Sequence, residues 1–379
     1  MKALITADEI RGRVLRAQRE IKERGLDALV AFSGYQEKEG NVCYLTGHHS
    51  AFPPSANDER MFGLGYTAVL LTQERGPVLF TMNAPSADEE VYIEGCVPGQ
   101  NLVSNLLTKV KEYRLDRGSI GIAGTDVVPQ MIYDKFVSGL PEARIVPADE
   151  IITRMRMVKS PGEIEVMKVG AQIADEGFKT AFEVARVGLK EREVASQVIK
   201  TCMEAGADWI ARVRIYSGVP GAQRWPLATD RRIASGDIVG MDLVGWYGNY
   251  AFDVLRFWTI GSPTAAQRDL LESAVKLTEA GVEAVRVGSS GDEVSVKIVS
   301  RARELGIESQ ARPWGHAIGI EVVELPYMVP KSSEPLREGM VFCVEPIVSS
   351  HLGRVSFEDE LVVRSGGPEV ISKFPKVLW

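Results

Sequence analysis

The chain has 379 residues, a length that favours two domains over one. Hydrophobic residues make up 45% and charged residues 25% of it, as in ordinary soluble globular proteins, and the net charge of −7 argues against a nucleic-acid or anionic-membrane partner. The N-terminal sequence MKALITADEIRGR has no apolar signal core and no long apolar run follows, so we expect a cytoplasmic protein. None of the four cysteines has a CxxC spacing, and we expect small buried side chains.

Residues 1–152 are expected to form a small α/β domain. It opens with a helix that Thr6 and Glu9 cap. Strands are predicted at 27–32, 66–71, 77–81 and 119–124, with a helix at 101–113. We interpret NVCYLTG (41–47) as a further strand, so that His48 and His49 after it point to opposite faces and cannot easily bind one metal ion.

Residues 153–379 are expected to form a larger α+β domain, with helices packed on one face of a largely antiparallel sheet. Ser160, Pro161 and Glu163 form a strong helix start, and that helix is predicted to run to about residue 186. Further helices are predicted at 191–205, 264–285 and 291–305.

Two predicted hairpins of this domain carry carboxylates. A hairpin over 238–260, centred between Tyr247 and Gly248, places Asp242 opposite Asp253. A second hairpin, centred between His351 and Leu352, places Glu345 opposite Glu358. Facing carboxylates repel, so each hairpin loses stability unless a cation lies between the pair.

A histidine completes the set of candidate metal ligands. His316 lies in the extended, glycine-flanked segment GHAIG (315–319). Four carboxylates and one imidazole suit two divalent ions, such as Mn²⁺, Co²⁺, Fe²⁺ or Zn²⁺. Two such ions would turn water into hydroxide at neutral pH and polarise a carbonyl group for attack, which predicts a metal-dependent hydrolase.

These motifs resemble those of the pita-bread metallopeptidases, which include Xaa-Pro aminopeptidases, prolidases and methionine aminopeptidases. The resemblance rests on the two aspartates of MDLVGWYGNYAFDVLRF, on GHAIG, on the glutamate of VEP and on FEDELVV. NVCYLTG is similar to a strand of the creatinase-like N-terminal domain, and RMRMVKSPGEIEVMKVG to the domain junction. The resemblance implies that the ligands are Asp242, Asp253, His316, Glu345 and Glu358.

The family pattern also implies a role for each ligand. Asp242 would bind one ion, while His316 and Glu345 would bind the other. Asp253 and Glu358 would bridge the two ions. Arg256 matches a family arginine, and we expect it to orient the carboxylates.

The chain departs from the family in the residues expected around a substrate. Val323 stands where the family has a second histidine, and Glu324 follows it. Arg224 and Trp225 stand near the position of another family histidine. We expect these four residues to contact the substrate, with Arg224 available to bind a carboxylate. The group that transfers the proton is not identified by the sequence.

Three functions fit this combination. The first is an Xaa-Pro type peptidase acting on small peptides. The second is a hydrolase or lyase acting on a small amide-like substrate, as in creatinase or ectoine hydrolase. The third is a non-catalytic binding protein with the same fold. The resemblance further implies a homodimer.

Overall fold

A computed structural model describes residues 5–50, 52–55, 59–87, 89–218 and 227–376. The chain divides into two compact units, and the division falls between Arg156 and Met157. The boundary expected from the sequence, after residue 152, lies slightly earlier in the same helix (Asp149–Met157). No helix among the described residues is both long enough and apolar enough to cross a lipid bilayer.

Helices and strands alternate along the first unit. Its helices are α1 (Ala7–Glu23), α2 (Gly40–Thr46), α3 (Leu102–Glu112), α4 (Gln130–Ser138) and α5 (Asp149–Met157). Its strands are β1 (Ala28–Ser33), β2 (Thr67–Thr72), β3 (Val78–Thr81), β4 (Gly95–Pro98), β5 (Ser119–Ala123) and β6 (Arg144–Pro147). The four strands, the helix near residue 101 and the first helix predicted from the sequence are confirmed to within one or two residues.

The strands of this unit form one mixed sheet in the order β4-β3-β2-β1-β5-β6. The central strand β1 pairs antiparallel with β2 and parallel with β5. Every residue of β1 is buried, and apolar side chains of α3 and α4 pack into the same core. A continuous apolar run is expected for a strand that is covered on both faces.

The segment NVCYLTG is a helix, so its interpretation as a strand was wrong. It forms α2, in which every residue is buried. A short helix buried all round has no polar face, so its sequence lacks the periodicity that distinguishes a helix from a strand. The rings of His48 and His49, which follow, lie 6.3 Å apart with an interplanar angle of 23°, so they do not point to opposite faces.

The second unit contains two similar helix pairs. They are α6 (Pro161–Val184) with α7 (Glu191–Glu204), and α8 (Ala265–Ala284) with α9 (Gly291–Glu304). The predicted capping boxes at Ser160 and Thr264 are confirmed. Gly188 and Gly288 precede the second helix of each pair, and both have a φ of +89°. The pairs are thus copies of one structural unit spaced 100 residues apart, since α7 and α9 begin at residues 191 and 291.

Three sheets accompany these helices. Their strands are β7 (Trp209–Gly218), β8 (Ile238–Tyr247), β9 (Tyr250–Thr259), β10 (Ala311–Arg312), β11 (Gly315–Ala317), β12 (Glu324–Tyr327), β13 (Val341–Val344), β14 (Ile347–Ser350), β15 (Gly353–Ser356), β16 (Asp359–Val362) and β17 (Glu369–Val370). The strand orders are β7-β8-β9, β12-β11-β13-β16-β17 and β10-β14-β15. The pairs within this unit are antiparallel, as the sequence predicted for the larger domain.

The β8–β9 hairpin has a different register from the predicted one. Its turn is formed by Gly248 and Asn249, whose φ angles are +58° and +68°. Positive φ at both central residues is typical of the type I′ turn, which suits a hairpin. Asp242 therefore pairs with Leu255, and Asp253 pairs with Val244. The carboxylates are diagonal neighbours on one face, not directly opposed.

Candidate metal centre

Asp242 and Asp253 form one side of the site. Both side chains are buried on the same face of the β8–β9 hairpin. Burial raises the pKa of both carboxyl groups, and the charge of Asp242 raises the pKa of Asp253 further. Two buried acids that repel each other are unfavourable as anions, so a cation between them would stabilise this arrangement.

The hairpin also fixes the position of His316. After His316 in β11, the chain bends over the hairpin, where the amide N–H of Ala251 donates to the Gly319 carbonyl at 2.8 Å. The indole N–H of Trp246 donates to the Ile320 carbonyl, also at 2.8 Å. His316 Nδ1 lies 3.1 Å from the carbonyl oxygen of Ala317. Since a carbonyl only accepts, Nδ1 carries the proton and leaves Nε2 as a potential metal ligand.

Glu345 and Glu358 come from the second predicted hairpin. Ser350 pairs with Gly353 across a turn at His351 and Leu352, so the predicted centre of this hairpin is confirmed. The same register continues into β13 and β16, where Val344 pairs with Asp359. Glu345 and Glu358 lie between these two paired segments, and the shared register places them opposite each other.

A backbone hydrogen bond joins this hairpin to the first one. The N–H of Glu358 donates to the carbonyl of Leu255 at 3.0 Å. Because Leu255 is the pairing partner of Asp242, the bond brings Glu358 next to the two aspartates. Regular strand pairing therefore fixes the backbone beneath the candidate ligands.

Nε2 of His316 is the point at which the carboxylates meet. It lies 3.4 Å from Glu345 Oε1, 4.0 Å from Asp253 Oδ2 and 4.0 Å from Glu358 Oε1. Burial lowers the pKa of His316, but Glu345, followed by Asp253 and the Ala317 carbonyl, outweighs that effect and raises the pKa. Ligand atoms around one transition-metal ion lie about 3–4 Å apart when each is about 2.1 Å from the ion.

Glu358 provides the test of whether these residues fit a cation. Its side chain is 2% exposed, and Oε1 has no hydrogen-bond partner among the described residues. Burial and the charges of Asp253 and Glu345 raise the pKa of Glu358 well above its usual value. A buried carboxylate oxygen 4.0 Å from an imidazole that also borders two other carboxylates matches the donor set of a hard or intermediate divalent ion.

Cys343 also lies at the site, which the sequence analysis did not foresee. It pairs with His316 across the sheet, and its ligand atom lies within 4.8 Å of those of His316 and Glu358. Its thiol is 3.7 Å from the carbonyl of Asp253, to which it donates. Burial, followed by the charge of Glu358, raises the pKa of Cys343 well above the usual value, so the thiol stays protonated. The available signal was its position two residues before Glu345, on the same side of an extended chain.

Arg256 contacts the main chain near the site, and none of its contacts among the described residues reaches the side chain of a candidate ligand. It donates to the main-chain carbonyl of Glu358 and forms an ion pair with Asp359 at 2.9 Å. It also donates to the carbonyl of Phe374 at 3.0 Å. The expected orienting role thus takes the form of holding the chain that carries Glu358.

The residues expected to contact the substrate lie in different environments. Val323 is exposed, whereas Glu324 is buried and forms an ion pair with Lys159 at 3.1 Å. The same carboxylate accepts from the amide of Glu321 at 3.2 Å. Glu324 therefore makes internal contacts within its own unit. Arg224 and Trp225 lie outside the described residues.

Two arginines of β7 were also missed. Arg214 pairs with Asp242, and Arg212 pairs with Val244. Arg214 Nη1 donates to Asp242 Oδ2 at 2.8 Å. The alternation of charged and apolar residues in WIARVRIYSG is typical of a strand with one polar face, but only the pairing with β8 shows that this face carries Asp242.

Comparison with known proteins identifies the family. The model of metallopeptidase family M24 matches residues 165–365, and that of the creatinase/prolidase N-terminal domain matches residues 13–158. The Xaa-Pro dipeptidase of Pyrococcus furiosus is 31% identical over 263 residues, which cover 69% of this chain and 75% of that one. The probable dipeptidase PepE of Mycobacterium tuberculosis is 27% identical over 361 residues, or 94% and 92% of the two chains.

A solved structure shows the same fold. The X-Pro aminopeptidase from Thermotoga maritima superposes with a TM-score of 0.84 at 23% identity, covering 97% of this chain and 99% of that one. The chain belongs to metallopeptidase family M24. The expected pita-bread fold with a creatinase-like N-terminal domain is confirmed, and the chain is a metal-dependent hydrolase of the peptidase type.

Proposed function

We propose that this chain hydrolyses short peptides at an Xaa-Pro bond, using two divalent ions bound by Asp242, Asp253, His316, Glu345 and Glu358. The observation that carries the proposal is the convergence of three carboxylates on Nε2 of His316, within 4.0 Å. The relatives named Xaa-Pro dipeptidase and X-Pro aminopeptidase support the substrate class.

The family resemblance suggests how the ligands would divide between the two ions. His316 and Glu345 would hold one ion, and Asp242 would hold the other. Asp253 and Glu358 would serve both ions; each has an oxygen 4.0 Å from His316 Nε2, and the charge of Asp253 raises the pKa of Glu358. Bound Mn²⁺, Co²⁺, Fe²⁺ or Zn²⁺ would supply a nucleophilic hydroxide and polarise the scissile carbonyl.

The remaining residues position these ligands. The Ala317 carbonyl accepts from Nδ1 of His316 and keeps Nε2 available. Arg256 holds the main chain at Glu358. Cys343 keeps its proton and donates to the Asp253 carbonyl, so we give it no ligand role.

A second candidate function is hydrolysis of a small non-peptide amide. The observation that favours it is Val323, which is 43% exposed and occupies the place of a family histidine. A valine cannot transfer a proton, so a substrate with a better leaving group than a peptide amine would suit this site.

The test is a substrate panel with dialysed, full-length protein and added Mn²⁺ or Co²⁺. It compares Xaa-Pro dipeptides, Xaa-Ala dipeptides and small carboxylated amides and amidines. We expect cleavage of Xaa-Pro dipeptides, with loss of activity in Asp253→Asn but not in Glu283→Gln, which changes an exposed carboxylate of α8. Cleavage of small amides alone would support the second candidate, and full activity in Asp253→Asn would contradict the metal mechanism.

Three further proposals extend the expectations from the sequence: manganese as one of the bound metals, a homodimer, and a cytoplasmic location. Metal analysis of protein isolated from its natural host tests the first, and sedimentation velocity of the purified full chain tests the second. Fractionation of the source cells tests the third.

A further inference from the structure

Strand β7 presents two cations on the face that carries the aspartates. Arg214 lies opposite Asp242 in the β7–β8 pairing, and Arg212 lies opposite Val244. Val244 is in turn opposite Asp253. Residues paired across antiparallel strands share a face, so both arginines and both aspartates lie on one side of this sheet.

Arg214 makes direct contact with a proposed ligand. Its Nη1 donates to Asp242 Oδ2 at 2.8 Å, and the side chains are 26% and 8% exposed. A charge-assisted hydrogen bond in these partly shielded surroundings is stronger than one on the open surface. A divalent ion at Asp242 would therefore compete with a permanent positive charge for the same carboxylate.

The proposed ion position at His316 is bordered by negative charges instead of an arginine. The imidazole is bordered by oxygens of Glu345 and Glu358 at 3.4 and 4.0 Å. An ion there gains attraction from both carboxylates. The two halves of the site thus differ in local charge, although carboxylates serve both.

We propose that Arg214 competes with the metal ion for Asp242, so that the second ion binds only as the guanidinium group moves away. The proposal rests on the two-ion site described above. The ion at His316 and Glu345 binds first and without this competition. The exposed part of the Arg214 side chain allows it to turn toward solvent when the second ion binds.

The test is calorimetric titration of Mn²⁺ into chelator-treated, dialysed full-length protein. Wild type is compared with Arg214→Gln and with Arg212→Gln, a matched removal of the neighbouring charge on the same face. We expect Arg214→Gln to lower the Kd of the second ion by roughly tenfold or more, since one charge-assisted hydrogen bond no longer competes. The first Kd should stay within about twofold and serves as an internal control for folding of the site.

Arg214→Lys separates charge from hydrogen-bond geometry. Lysine keeps the positive charge but lacks the planar fork, so we expect a second Kd between those of wild type and Arg214→Gln. Arg212→Gln should lower the second Kd by less than Arg214→Gln does, because Arg212 acts on Asp242 and Asp253 through its charge, whereas Arg214 also donates a hydrogen bond to Asp242.

The outcomes distinguish this inference from the proposed function. Two ions with an unchanged second Kd in Arg214→Gln would overturn the role of Arg214 and leave the two-ion site intact. An equal decrease in the second Kd in Arg212→Gln would also overturn the role of Arg214, because the effect would then reflect overall charge. Failure of wild type to bind any ion would contradict the proposed function itself.

Discussion

Nε2 of His316 in β11 lies 3.4 Å from Oε1 of Glu345, the residue that follows β13, and the register of these two strands pairs His316 with Cys343. Glu345 follows Cys343 by two residues, so it is the diagonal neighbour of the imidazole on the same face. This pairing of imidazole and carboxylate is set by backbone register and does not depend on a flexible loop.

Metal binding should stabilise the folded chain. A ligand that binds only the folded state at 100 times its Kd adds about 2.7 kcal/mol per site to the free energy of unfolding. We therefore expect a higher thermal midpoint in Mn²⁺ than in chelator, measured by differential scanning calorimetry. Glu358→Gln removes a buried ligand and should lose most of this gain. Equal midpoints with Mn²⁺ and with chelator in wild type would count against the site.

The metal-free protein should lose stability as pH rises. Burial and neighbouring charges raise the folded-state pKa of Asp253 and Glu358, whereas the unfolded values are about 3.9 and 4.3. Above about pH 4 the folded state then holds more protons than the unfolded state. Each proton held in this way lowers the free energy of unfolding by about 1.4 kcal/mol per pH unit.

Urea unfolding of chelator-treated protein between pH 4 and 8 measures this effect. Other groups titrate in the same range, so the relevant quantity is the difference between Asp253→Asn and wild type. We expect the variant to gain stability relative to wild type as pH rises. A constant difference across the range would contradict the shift assigned to Asp253.

Cys343 should be dispensable for metal binding. Its thiol is buried and stays protonated, and it already donates to the Asp253 carbonyl. A thiol binds a metal well only as the thiolate. Cys343→Ser should therefore bind as many Mn²⁺ ions as wild type. In the folded protein, iodoacetamide should label the partly exposed Cys96 before Cys343, as mass spectrometry can show. Loss of one ion in Cys343→Ser would make the thiol a ligand.

The ion pair of Lys159 and Glu324 should contribute to folding. The two side chains are 1% and 6% exposed, so Lys159→Met leaves a buried carboxylate without this partner. Breaking such a pair costs about 3–5 kcal/mol, which denaturant unfolding measures. The double variant Lys159→Met with Glu324→Gln should recover part of the loss. No recovery would show that the effect of Lys159 is independent of Glu324.

The sequence predicted the starts of the long helices well, because these starts depend on local patterns. Ser160 and Thr264 begin helices through contacts with residues three positions later. The β8–β9 register was wrong because the turn at Gly248 and Asn249 was not recognised as type I′. The shift changed the partner of Asp242 by two residues, an even number, so both aspartates stayed on the expected face.

Long-range pairings lay beyond what the sequence could show. Arg214 reaches Asp242 because β7 pairs with β8. The register of this pair shifts at a bulge between Ile210 and Arg212, which no local pattern predicts. Cys343 was interpreted as a small core residue, and it is buried, but its contact with the site depends on the pairing of β11 with β13. The same holds for Lys159, whose partner Glu324 is far along the chain.

The number of metal ions per chain tests the central claim most directly. Elemental analysis of full-length protein, loaded with Mn²⁺ and dialysed, should be made beside Asp253→Asn and Glu283→Gln. We predict that wild type and Glu283→Gln hold more than one ion per chain, approaching two at saturation, and that Asp253→Asn holds fewer. Absence of bound metal in wild type after incubation with Mn²⁺, Co²⁺, Fe²⁺ and Zn²⁺, or equal content in all three proteins, would contradict the metal centre.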